Sequence, residues 1–592
     1  MSKNEVKNID EWDLSALFKN INEVDKSAES TKKRALDFEK KYSGKVAQIK
    51  DINSVMREYE GICEGLAQIA TYSFLLFAKD TKKGAIYAKY ELLINEIQNH
   101  IVFFEVELAQ IPEKIAQNFI AQTSQYAYFL TKLLAQKKHT LSKEKEQILL
   151  ATSPVGANAF SRLFDEHLSK MRFKFENKDL SEEEILAKLH DKNRAVRKIA
   201  QKELTKKLKK SAHLLGYIIN IIKKDVAISA KLRGYEKPES FRHIDNQISQ
   251  KSVDSMIKIA ESNFDLVHKY YSIKSRLLGI KKLKDFDRYA PLDFGDESAG
   301  DKGVQIPYGE AKDLVIKTYS DFSPTFGKIA QNAFKNGWVD SHPSSDKRGG
   351  AFSHGATPNA HPFVLLNYTG GRRDIFTIAH EFGHAIHQEL SKSVGYLNMD
   401  TPLTTAETAS VFGEMLLFDK MKQNLGGKEL LALYAGKIED IFSTLFRQVV
   451  MTNFERKIHA EKDELTVEQL SEIWQSENAK MFGDSLKLTK NYALWWSYIP
   501  HFIHSPFYCY AYSYGQLLSL ALFGLCKQNK KDFVPKYTKF LSAGGSQSPK
   551  DLVAIFGFDI EDSAFWEVGM GEVGKLLSEF EKIAKKYKKE AK

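Results

Sequence analysis

The sequence predicts a mainly α fold with one small antiparallel β-sheet placed next to a helix that carries a metal-site motif. Three observations predict it. Only 34 Gly and 14 Pro punctuate 592 residues, which favours long helices over many short strands. Apolar residues recur at helical spacing, as in Ile86, Tyr90, Leu93, Ile94 and Ile97, then Leu214, Ile218, Ile221 and Ile222. Between Leu292 and Gly371 the composition changes, and glycines and prolines crowd around two β-favouring segments.

Taken in order, the chain from Leu14 to about Tyr235 has few breakers. Ser142, in Thr140–Glu146, reads as a helix N-cap, and Ser153–Ala157 (SPVGA) is the clearest turn. This gives an N-terminal helical lobe over 1–195 and a catalytic region over 196–592, with the sheet at about 345–371. The sheet is expected from Ala351–His354 and Pro362–Tyr368 (PFVLLNY), flanked by Gly349-Gly350 and Gly370-Gly371. After Asp374 the helical pattern resumes and runs to the end. No period of 20–50 residues repeats, which argues against a solenoid.

Composition narrows the classes further. At 43% hydrophobic and 27% charged residues the chain is ordinary globular material. Cys63, Cys509 and Cys526 are too few to staple it and form no paired CxxC spacing, so a reducing, cytoplasmic setting is expected. The opening MSKNEVKNIDEWDLSALF is charged where a signal peptide would be apolar. The longest apolar stretch is read at Leu517–Cys526, about half of the ~20 residues that cross a bilayer, so no membrane partner is expected. The net charge is +10, partly from Lys206–Lys210 (KKLKK) and the tail from Lys582. Without interleaved aromatics or a known module these read as solvated helix faces, and no nucleic-acid partner is expected.

Residues 374–387 read DIFTIAHEFGHAIH. His380 and His384 lie one turn apart on a helix, so both imidazoles can reach one metal, while Glu381 sits beside them, placed to take a proton from a metal-bound water. Chance gives roughly 0.03 such HExxH matches in a chain of this make-up. The metzincin extension fails, because its Gly and third His positions hold His387 and Leu390. A third ligand must then come from elsewhere, and Thr404–Met421 offers a second helix with Glu407 and Glu414 on one face. Glu407 also fits a capping box with Thr404, while its small neighbours Ala406, Ala409 and Ser410 suit close helix approach. The residues by themselves leave the third ligand open between Glu407 and Glu414.

With these segments the chain resembles the oligoendopeptidase F branch of the thimet-oligopeptidase-like zinc peptidases. The resemblance rests on HEFGHAIH, TTAETASVFGE, WDLSALF at Trp12–Phe18, PFVLLNYTGG at Pro362–Gly371 and PHFIHSPFYCYAYSYG at Pro500–Gly515, so it spans nearly the whole chain. It implies two largely helical lobes around a deep substrate channel. It implies one zinc per chain held by His380, His384 and Glu407, with Glu381 as general base and Glu414 orienting a ligating imidazole. Asp374 matches an acidic position of the family and also reads as a plain helix N-cap. The family places a His and a Tyr to stabilise the oxyanion; His501 and Tyr512 match best, then Tyr508 and His504. A further family tyrosine falls near Gly515. The tyrosines alternate in a way that also permits a strand, but the apolar continuation and the resemblance favour a helix beginning at Pro506.

The function expected is that of a zinc-dependent endopeptidase cutting internal bonds of short unfolded peptides. The exposed edge of Pro362–Tyr368 is expected to pair with the peptide main chain. Two rivals remain: a helical zinc carboxypeptidase, with Arg372 and Arg373 for the terminal carboxylate, and a non-catalytic peptide-binding protein with a structural metal.

Overall fold

The computed structural model describes residues 10–292 and 305–590. The charged opening before Asp10, the start of the composition change at 293–304 and the last two residues of the lysine tail lie outside the described residues. The main elements run, in chain order, α1 (Ile52–Lys79), α2 (Gly84–Asn99), β1 (Phe173–Phe175), β2 (Lys178–Leu180), α3 (Arg194–Arg233), α4 (Tyr308–Phe322), β3 (Val339–Asp340), β4 (Phe352–His354), β5 (Phe363–Leu365), α5 (Arg372–Ser391), α6 (Thr408–Met421), α7 (Phe446–Ala460) and α8 (Cys509–Gln528). Helix dominates and the strands are two or three residues long, as the sparse breakers predict.

The chain divides into two compact units, each assembled from separate stretches. One takes 10–138, 305–421 and 525–557 of the described residues; the other takes 139–292, 422–524 and 558–590. The expected boundary near 195 falls inside the second unit, at the start of α3.

In the first unit, α1 is capped by Asp51, whose side chain accepts from the Ser54 N–H at 3.2 Å. Ile52, Val55, Met56, Ile62, Leu66 and Ile69 follow at spacings of three, four and seven and are buried. By length and composition α1 could cross a membrane, a stretch longer than the Leu517–Cys526 run expected to be the most apolar. Its apolar stripe instead packs into the core of its unit.

The sheet of this unit has the order β3-β5-β4, and it is mixed. β4 pairs with β5 antiparallel, as expected, with Ser353 opposite Val364. β3 pairs with β5 parallel, with Val339 opposite Val364. Two residues carry no alternation, which is why β3 left no sequence signal. The pairing also corrects the expected edge: β5 is the central strand and wholly buried, so it cannot receive a peptide, and β4 is an edge.

The second unit is built on α3, 40 residues long and ended by Gly234 in the left-handed region at φ +67°. Leu204, Leu208 and Leu215 of α3 are buried in a cluster with Trp474, Trp495 and Trp496. Lys206, Lys209 and Lys210 are exposed on the same helix. β1 and β2 form a hairpin within the segment expected to be wholly helical. Phe173 and Phe175 are buried with Lys174 exposed between them, and Glu176 turns the chain at φ +53°.

Candidate metal centre

α5 starts from a one-sided cap, because its N-cap residue Gly371 has no side chain. Asp374 is its third residue, not its N-cap, and its Oδ2 accepts from the Gly371 N–H at 3.2 Å and the Thr369 N–H at 2.8 Å. Ile375, Ile378, Ala379, Phe382, Ala385 and Ile386 are fully buried, so the helix is held on its apolar faces. Gly383 lets α6 approach: a Cβ there would lie 2.5 Å from the Ser410 Cα and overlap the Ala409 carbonyl. Gly413 does the same from α6, where a Cβ would lie 3.0 Å from the Ala379 carbonyl oxygen. Tyr319 of α4 donates to that carbonyl at 2.6 Å and fixes the crossing.

The crossing brings the motif residues together. His380 Nε2 and His384 Nε2 are 3.2 Å apart, and Glu407 Oε2 lies 3.4 Å from the first and 3.5 Å from the second. Among the described residues these three form a group able to share one metal ion. Donors at about 2.0–2.1 Å on tetrahedral directions around zinc would lie ~3.3–3.4 Å from one another, so the triangle has the right size. The donor set fits as well, two imidazole nitrogens and one carboxylate oxygen.

Glu407 is not part of a continuous helix. A short turn Leu403–Ala406 precedes it with Pro402 as its N-cap, and α6 starts at Thr408. The Thr408 hydroxyl donates to the Thr405 carbonyl and competes with the helical ladder. Thr404 lies inside the short turn rather than at its N-cap. Ser410 Oγ donates to Glu407 Oε2 at 2.7 Å. Glu414 is seven residues, about two turns, beyond Glu407, with Oε1 2.7 Å from His380 Nδ1, so the two glutamates meet different atoms of this imidazole.

Charge follows geometry. Burial opposes a charge on His380, but Glu414, then Glu407 and Glu381, raise the imidazole to about 9. Burial pushes Glu407 up, and His384 and His380 outweigh it, drawing the carboxyl to about 2. The triangle is built to accept positive charge. Glu381 is 7% exposed, and burial raises its carboxyl above the ordinary range against the pull of both imidazoles and the Ser353 N–H.

Two neighbours were not anticipated. Gln388 donates to the Ser353 carbonyl at 3.1 Å and its Oε1 receives the Ser353 hydroxyl at 2.7 Å, tying α5 to β4. Its signal was present, since Gln388 continues the row His380, His384 at spacing four. Ser353 itself had no local signal, because its role depends on strand register.

The second unit gathers the other candidates. His501 Nε2 and the Tyr512 hydroxyl are 3.3 Å apart, and the Tyr508 and Tyr512 rings meet edge-on at 5.0 Å. All three are half-buried, and burial lowers the His501 pKa, favouring the neutral ring. His504 turns elsewhere, to Asp165 at 2.8 Å. Tyr510 and Tyr514 point into the core, on Asn246 at 2.8 Å and Ser252 at 2.6 Å. The helix starts at Cys509, not Pro506: His501–His504 is a short turn, and Phe507 at φ +58° breaks the path between them.

Two family models match the chain, peptidase family M3 over residues 187–572 and oligopeptidase F over 107–173. The chain belongs to peptidase family M3. It is a metallopeptidase, a hydrolase of peptide bonds. An oligoendopeptidase F homolog of Borreliella burgdorferi is 30% identical, aligned over 98% of this chain and 100% of that one. Oligopeptidase PepF of Bacillus subtilis is 27% identical over 99% of this chain and 89% of its own length. A solved structure from Chlamydophila abortus, 24% identical, shares the M3 member's fold with a TM-score of 0.87, covering 98% of this chain and 99% of that one.

Proposed function

We propose that this M3 metallopeptidase is a zinc-dependent endopeptidase that cuts internal bonds of short oligopeptides. The observation that carries the reading is the triangle of His380 Nε2, His384 Nε2 and Glu407 Oε2, with the buried Glu381 beside it. The oligopeptidase names of its relatives support the substrate class. Zinc bound by these three residues would supply a Lewis acid for the scissile carbonyl and for a water molecule.

The protein residues have separate tasks. Glu414 accepts from His380 Nδ1 and leaves the Nε2 lone pair facing the triangle. Ser410 holds the Glu407 carboxylate in its rotamer. Glu381, its carboxyl raised by burial toward the working pH, takes the proton of the attacking water and returns it to the leaving amine. Tyr512, assisted by Tyr508 and a neutral His501, donates hydrogen bonds to the oxyanion.

The test is digestion of an internally quenched oligopeptide blocked at both ends. Internal cleavage that stops with chelator and returns with zinc is expected. Cleavage only after the C-terminus is unblocked would instead favour the carboxypeptidase reading.

A further inference from the structure

Beside β4 the first unit carries a cleft of about 460 Å³. Phe74 of α1, Tyr87 and Glu91 of α2, His354 at the end of β4, and Tyr396 and Asp400 after α5 shape its walls. One strand step separates it from the candidate centre. The Ser353 N–H serves the Glu381 carboxylate, and His354, the next residue, faces the cleft. Strand residues advance about 3.3 Å each, so a peptide bond held beside Glu381 brings a neighbouring substrate side chain toward the cleft within a residue or two.

The lining selects by charge and shape. The His354 ring stands 5.6 Å from that of Phe74, and the Ala356 N–H donates to its Nδ1 at 3.1 Å, which leaves the ring proton on Nε2. Burial pulls this imidazole down to about 4, so it brings no positive charge at neutral pH. Glu91 and Asp400, on different elements, are exposed carboxylates. Tyr87 hydrogen-bonds Glu91. Lys132 is the cation beside Asp400, and its ammonium also leans on the Gly545 carbonyl at 3.4 Å. Three carboxylates, Glu91, Asp400 and the Glu64 that acts on Tyr396, stand against two cations, Lys132 and the Arg348 guanidinium 5.7 Å from the Phe74 ring, and leave the cleft negative, with aromatic walls of the kind that receive an aliphatic stem below a charged head.

We propose that this cleft is a substrate side-chain subsite that selects a lysine or arginine close to the scissile bond. The inference rests on the peptidase reading above and adds a specificity to it. The experiment uses doubly blocked quenched peptides that differ only in carrying Lys, Leu or Glu at each position flanking the cut. The full-length, zinc-loaded protein is expected to favour Lys over Leu at one position by about fivefold to tenfold in kcat/KM, and to disfavour Glu there. In Glu91→Gln/Asp400→Asn the Lys-to-Leu ratio falls toward one, and in Glu91→Lys the order of Lys and Glu moves toward reversal. Equal rates for all three peptides in the unaltered protein would overturn the subsite while leaving the peptidase reading intact. Ratios unchanged in both variants would overturn it too. Cleavage of none of the peptides would bring down the peptidase reading and the subsite with it.

Discussion

The metal triangle of the first unit and the tyrosine–histidine group of the second are built in opposite ways. The triangle stands on two helices locked together by Gly383, Gly413 and the Tyr319 hydroxyl, with its acidic member one residue before α6. The tyrosine–histidine group stands where a short turn meets α8, beyond a residue in the left-handed region. That junction is pinned from outside: the Phe507 N–H donates at 2.8 Å to Glu455, a carboxyl of α7 with no exposed surface. Helix crossings give fixed geometry from local sequence, whereas the junction depends on one distant buried group. The first should fail abruptly when altered and the second by degrees.

The largest effect is expected at the crossing. Gly383→Ala drives a methyl into the backbone at Ala409 and Ser410, where no flexible side chain can yield. Zinc binding and turnover should both fall by more than 10³-fold, read by metal analysis and peptide cleavage. Next comes Tyr512→Phe, expected to lower turnover by about 10²-fold with zinc content unchanged. A wild-type rate would transfer the donor role to Tyr508 or His501. Glu414→Ala should weaken zinc affinity by about 10- to 100-fold in a chelator competition, because His380 loses the partner that fixes its tautomer.

Glu455 gives the smallest effect and the sharpest contrast. Glu455→Ala should cut kcat several-fold without touching zinc affinity, and Glu455→Gln should restore it, since an amide oxygen can still accept from Phe507. The same variant has a pH signature. Burial raises the Glu455 carboxyl to about 8, well above the ordinary value near 4.3. The unfolded chain therefore releases this proton first, and stability falls as pH rises from about 4 to 8. Glu455→Gln should flatten that fall in thermal unfolding across this range.

The same contrast explains what the sequence disclosed. His380, Glu381 and His384 are legible because four residues make about one helical turn, and Glu414 because its spacing of seven from Glu407 puts both on one helical face. The break at Glu407 was hidden, since a threonine hydroxyl bonding back three residues leaves no periodic mark. β4 and β5 were visible between paired glycines, but not that a two-residue third strand would make β5 central. The Phe507 turn was misread as a helix start because Ser505-Pro506 carries that signal locally, while Glu455 acts from 52 residues away. The two units were equally hidden, because each draws on stretches far apart in the chain.

The central claim is that Glu381 moves protons beside the metal without holding it. The direct measurement is zinc content and turnover of Glu381→Gln, determined on the same preparation. The account predicts one zinc per chain together with a loss of at least about 10²-fold in turnover. Turnover near that of the unaltered protein, or zinc lost along with activity, would contradict it.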